Sequence, residues 1–184
     1  MSLVLLSRRN YLAYTMAAVG MPYFNTAARA STEKTIDRQV RSEERKYGLT
    51  FAAENQSELS QLGHAFIIWQ HEDDQKLMSV SEAIGFYPTG EPDGIDLILG
   101  SPGSLESDFG TAADIKLTVL LNSDLFSKAL DAKHTWEQDG SYKVFWRNCT
   151  THVSAIAQAI GLTTSSGTWE SPQSFVGDLM ANNN

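Results

Sequence analysis

Three residues in this chain could carry acyl-transfer chemistry: the only cysteine, Cys149, and two of the four histidines, His64 and His152. A thiolate is a strong nucleophile, and a histidine that titrates near neutrality can take the thiol proton. Cys149 lies in Trp146-Arg147-Asn148-Cys149-Thr150-Thr151-His152-Val153. Upstream, Ser141 to Trp146 alternates, with Tyr142, Val144 and Trp146 on one side, which is strand periodicity and places Trp146 in the core. Downstream, Val153, Ile156, Ala157 and Ile160 recur at helical spacing, and Gly161 stands where a helix-ending glycine belongs. Asn148 suits an N-cap. Cys149 is therefore expected in the first turn of a helix that follows a strand. There the helix dipole and unpaired N–H groups favour a thiolate and could hold a developing oxyanion. The competing reading is a buried, inert cysteine, since free cysteines are among the most buried residues.

His64 opens the apolar run Gly63-His64-Ala65-Phe66-Ile67-Ile68-Trp69-Gln70, which reads as a core strand. His71-Glu72-Asp73-Asp74-Gln75 reads as a turn, and Lys76 to Phe86 as a second strand. A hairpin turning about Asp73 puts Glu82 opposite His64, where its carboxylate would orient the imidazole; a slip in register gives Ser81 or Ala83 instead. Ser81 is the alternative orienter. His64 could also be a hydrogen-bonded structural residue. His152, three residues after Cys149, could share its helix surface, tune the thiolate or act as the base; a spectator or groove-lining role is expected. His71 should be solvated in its turn and His134 should lie on a helix surface. No histidine pair has a zinc spacing and CxxC is absent, so neither metal nor cofactor is expected. Trp69, Trp136, Trp146 and Trp169 could line a groove for sugars.

These residues must be positioned by a chain of 184 residues, 42% hydrophobic, enough for one domain with a real core. A net charge of −8 and the lack of a basic stripe argue against a nucleic-acid surface. Ser7-Arg8-Arg9-Asn10-Tyr11-Leu12 looks like a twin-arginine signal with Ala28-Arg29-Ala30 as a cleavage site; the other reading is an N-terminal helix packed on the domain. The run is too short and too polar for a membrane span. Ser31 to Lys46 reads as a solvated helix or linker, which divides the chain into a helical segment, 1–46, and a catalytic domain, 47–184. Within that domain, Gly48–Ala53 and Ile115–Leu121 read as strands and Ser57–Leu62 as a turn of helix or a loop. Thr89–Phe109 reads as a long loop with a short strand at Ile95–Leu99. A helix should run from Ser123 or Asp124 to about Trp136, another should open at Ser171-Pro172, and Asn182–Asn184 should fray.

Gly63-His64-Ala65-Phe66, Gly85-Phe86-Tyr87-Pro88 and Asn148-Cys149-Thr150-Thr151, in that order, resemble the circularly permuted branch of the NlpC/P60 papain-like cysteine hydrolases over about residues 48–162. The resemblance implies an α+β papain-like fold, with a mostly antiparallel sheet packed on helices. It implies Cys149 as nucleophile and His64 as general base; it fixes no third member, so Glu82 rests on register alone. It also implies hydrolysis of amide bonds in peptidoglycan peptides. A likeness to type VI secretion effectors of this class implies secretion into the periplasm of a target bacterium, type VI delivery components as partners, and an immunity protein. Related permuted folds include thioesterases and acyltransferases, and the scaffold could also serve as a non-catalytic binding module.

Overall fold

The structure, a computed structural model, describes residues 31–39, 46–54, 63–90 and 92–184. Its elements are β1 (Thr32–Asp37), β2 (Tyr47–Glu54), β3 (His64–Glu72), β4 (Met78–Pro88), α1 (Gly94–Leu99), β5 (Ser101–Ser107), β6 (Ile115–Leu121), α2 (Ser123–Gln138), β7 (Ser141–Tyr142), α3 (Cys149–Ala159) and α4 (Pro172–Asn182). The fold is α+β. The seven strands form one sheet in the order β1-β6-β2-β3-β4-β5-β7, antiparallel except where β1 runs parallel to β6.

Alternate residues of the central strands supply the core, as the two-residue period of a strand requires. Leu49, Phe51, Ala65, Ile67, Trp69, Leu117 and Val119 share it with Val153 and Ile156 of α3, with Ile160 at its C-cap, and with Phe175, Val176 and Leu179 of α4. The helices thus bury one stripe each on the sheet and fix where their first turns fall. Phe175 is fully buried, so Phe175→Ala should cost about 3–5 kcal/mol through lost burial and a cavity; chemical denaturation measures it.

Several elements differ from the sequence expectation. Residues 32–37, expected as a solvated helix or linker, form an edge strand. Only Ile36 of this strand is buried, and its charged residues suit a sheet edge, so the apolar period is missing. The signal-like residues 1–30, residues 40–45 and the Ser57–Leu62 reading lie outside the described residues. Ile95–Leu99 is helical: Asp93 caps it, accepting from the N–H groups of Ile95 and Asp96, while the Asp96 side chain accepts from the Asp93 N–H. The long loop contains β5, which has few strand-forming residues but pairs with β4 over Gly103–Ser107 and with β7 at Ser101 and Pro102. The strand expected over Ser141–Trp146 stops at Tyr142, and the chain folds back through a tight turn in which Lys143 and Arg147 exchange N–H···O bonds of 2.9 Å. Trp146 is consequently 56% exposed, not in the core. The C-terminus is held at Asn183, whose side chain accepts from Thr163 N–H and donates to Thr163 and Leu179 carbonyls, each at 2.8 Å. Lys34 of β1 donates to the Met180 carbonyl at 2.7 Å and so ties the last helix to the edge strand. Ser171 caps α4 with Pro172 at its first position, and Gly161 takes φ +76° after α3, both as read from the sequence. No helix among the described residues is long and apolar enough to cross a membrane.

Candidate active site

The first turn of α3 is built by a reciprocal cap. The Asn148 side chain accepts from Thr151 N–H at 3.0 Å, and the Thr151 hydroxyl accepts from Asn148 N–H at 2.8 Å. Asn148 Nδ2 donates to the Val144 carbonyl at 2.7 Å, and the Thr150 hydroxyl sits between Asn148 Oδ1 (2.7 Å) and the Gly167 carbonyl (2.6 Å). These bonds fix the turn from both sides and leave Cys149, partly buried, as the first helical residue. The backbone N–H groups of Thr150 and of Ala65 on β3 help to lower the pKa of its thiol.

The β3–β4 hairpin brings in the histidine. Phe66 pairs with Gly85 and Trp69 with Glu82, and a bulge between Trp69 and Gln70 shifts the register toward the turn. The turn closes around Gln75, with Asp73 Oδ1 accepting from the N–H groups of Gln75 (2.8 Å) and Leu77 (3.0 Å). Later closure plus the bulge moves the partner of His64 along β4 to the Tyr87 end. The His64 and Tyr87 rings stack with centroids 4.2 Å apart. His64 is coupled to the Cys149 thiol, each shifting the titration of the other. Its Nε2 lies 3.3 Å from Asp108 Oδ2.

Asp108 is the residue that sequence reasoning missed. It directly follows β5 and is buried, with its N–H bonded to the Ala83 carbonyl at 2.8 Å. Its Oδ1 accepts from the Tyr87 hydroxyl at 2.7 Å and the Thr111 hydroxyl at 3.3 Å. Tyr87 thus grips both partners, stacking on the imidazole and holding the carboxylate. Gly85 makes room: a Cβ there would overlap His64 Nε2 and Asp108 Oδ2. The only sequence signal was indirect. A glycine beside an aromatic pair on β4 marks a place where something crosses the strand closely.

The expected orienters lie elsewhere. Glu82 sits opposite Trp69 and accepts from Lys133 of α2 at 2.6 Å, and Lys133 also lies over the Trp69 ring. The Ser81 hydroxyl donates to the Trp69 carbonyl at 3.1 Å. The placement of Glu82 against His64 is thus corrected, and the cause is the bulge and the later turn. His152 faces the protein interior, not the surface it was expected to share with Cys149: it is fully buried against Trp136 and Phe86. Burial, with His64 and Arg147 charges nearby, pushes its pKa down to about 3, so it stays neutral. His71 lies within β3, paired with Ser79 and outside the turn, and His134 is exposed on α2. Trp69 and Trp136 are core residues, whereas Trp146 and Trp169 are exposed.

Burial alone would push the His64 imidazole down. Its bonds to Asp108 and Cys149 outweigh that and raise it to about 9. Burial likewise pushes the Cys149 thiol up, but the His64 bond and charge and the two backbone N–H groups hold it below the usual thiol range. Both directions favour transfer of the thiol proton to the imidazole. A raised histidine pKa means that the imidazolium and its bond to Asp108 are fully present below the ordinary histidine range and are lost as pH rises through about 9. Any turnover that uses His64 as proton donor should therefore fall on an alkaline limb near pH about 9, and Asp108→Asn should move that limb to lower pH. A kcat/KM profile over pH checks both.

Among the described residues there is no cluster of His, Cys, Asp or Glu able to hold a metal ion. The arrangement can generate a nucleophilic thiolate, hold the resulting imidazolium and supply N–H donors at a helix start. Comparison of the chain with family models, with curated proteins and with solved structures finds no match.

Proposed function

We propose that this protein is a cysteine hydrolase of the permuted papain-like type, which cleaves amide bonds of peptidoglycan peptides. The observation that carries the reading is the His64–Asp108 pair, coupled to the Cys149 thiol at a helix start: a base, an orienting carboxylate and a nucleophile from different segments. In the proposed reaction, the Cys149 thiolate attacks the amide carbonyl carbon. The new oxyanion lies against the Cys149 N–H at the start of α3. The His64 imidazolium gives its proton to the departing amine, leaving a thioester. Neutral His64 then takes a proton from water, which attacks the thioester carbonyl; the proton passes to the thiolate as it leaves, and the carboxylic acid is released. Asp108 fixes the tautomer and steadies the imidazolium throughout.

The thiol chemistry rests on the helix-start Cys149, its coupling to His64 and the His64–Asp108 contact, whereas the peptide substrate and the type VI-like delivery rest on the motif resemblance. A target in the wall fixes where toxicity should appear. Expression with an added export signal should kill the host, expression in the cytoplasm should not, and Cys149→Ala should be harmless in both. Equal killing from the cytoplasm would rule out a wall substrate.

A further inference from the structure

Two segments tied to the first turn of α3 carry a group of aromatic rings that the proposed chemistry does not use. Trp169 is 71% exposed and Trp146 56%. Phe145 stacks on Trp169 with centroids 4.5 Å apart and planes 22° apart, and Trp146 packs edge-on to both at 5.7 and 6.3 Å. The rings sit on two segments tied to the nucleophile's own turn. The Lys143–Arg147 turn is held through the bond from Asn148 Nδ2 to Val144 O, and the Trp169 loop through the bond from the Thr150 hydroxyl to Gly167 O. Gly167 has φ +67°, and a Cβ there would press on the Thr150 backbone at 3.2 Å, so this loop lies directly against the first turn of α3.

The chemistry of the rim narrows what the rings receive. The Trp169 loop carries Ser165, Ser166, Thr168 and Glu170; the Ser165 hydroxyl donates to Glu170 and the Thr168 hydroxyl to Ser166 O at 3.4 Å. A flat indole with hydroxyls and a carboxylate around it matches a pyranose, which offers an apolar C–H face and a rim of hydroxyls. An acyl chain calls for apolar walls, and this rim is polar. A stacked nucleobase brings phosphates, and the chain carries a net charge of −8.

We infer that Phe145, Trp146 and Trp169 form a sugar-binding subsite next to the first turn of α3, with the face of an N-acetylated hexopyranose stacked on Trp169 and Glu170 and Thr168 reaching its hydroxyls. The inference rests on the hydrolase reading only in giving the sugar its purpose: it would be the glycan unit that carries the peptide under attack. The subsite would hold the peptide stem over the sulfur and favour glycan-attached over free peptides.

The test is tryptophan fluorescence of the full chain bearing Cys149→Ala, titrated with the tetramer of N-acetylglucosamine. Trp69 and Trp136 are buried, so a spectral change reports the exposed pair. A saturable change is expected, weakened by about five- to tenfold in Trp169→Ala and largely restored in Trp169→Phe, in keeping with the energy of one aromatic stack. Because Trp169 is so exposed, its replacement should not disturb folding. With Cys149 intact, Trp169→Ala should raise KM on intact sacculi more than it lowers kcat. No saturable change in the parent, or equal affinity in Trp169→Ala, overturns the subsite. Sugar binding without any sacculus hydrolysis leaves the subsite standing and removes the hydrolase reading; hydrolysis without sugar binding does the reverse.

Discussion

Cys149→Ala and His64→Ala are each expected to lower turnover on the order of 10⁴-fold or more, with little change in melting temperature. The sulfur is the only group in the site able to form the acyl intermediate, and without His64 nothing there can take its proton or protonate the leaving amine. Because the two act as a unit, the double variant should be scarcely worse than either single one. Additive losses would mean that they act in separate steps. A replacement of His152 separates position from chemistry: it lies one helical turn after Cys149 but is neutral and buried. His152→Phe should therefore affect stability through its packing on Trp136 and Phe86 more than it affects the pH profile.

The next largest effect is expected at the orienting carboxylate. Asp108→Ala should lower kcat by about 10²-fold or more, because the imidazole then loses the partner of its Nε2 and its fixed tautomer. Asp108→Asn should fall between, keeping the shape but not the charge. Glu82→Gln should stay close to the parent, since Glu82 pairs with Lys133, not with His64. Gly85→Ala should resemble Asp108→Ala for a steric reason, as its methyl would enter the space where His64 and Asp108 meet. Melting curves separate this from unfolding, because overpacking typically costs about 1–3 kcal/mol. If Glu82→Gln were the damaging change and Asp108→Ala the silent one, the assignment of the orienter would be reversed.

What the sequence made legible follows from the range of the interactions. The Cys149 helix start was readable because its signals are local: an N-capping asparagine, apolar residues at helical spacing and a glycine at the end. The His64 strand was readable from an unbroken apolar run. Register was less so, because one bulge between Trp69 and Gln70 and a turn centred later moved the partner of His64 along β4 to Tyr87. Asp108 was hidden for the same reason. It reaches His64 through the pairing of β5 with β4, and Ser101–Ser107 has little of the composition of a strand. β1 was hidden because a charged edge strand lacks an apolar period. Trp146 was misplaced because alternation was extended past Tyr142 into a tight turn.

The central claim is that Cys149, driven by His64, breaks an amide bond. Digestion of purified sacculi followed by mass analysis of the soluble products addresses it directly. The account predicts new free amino and carboxyl ends within the peptide stems or their cross-links, intact glycan linkages, and no products with Cys149→Ala. Unchanged sacculi with properly folded protein, new reducing ends on the glycan, or the same products from Cys149→Ala would contradict it.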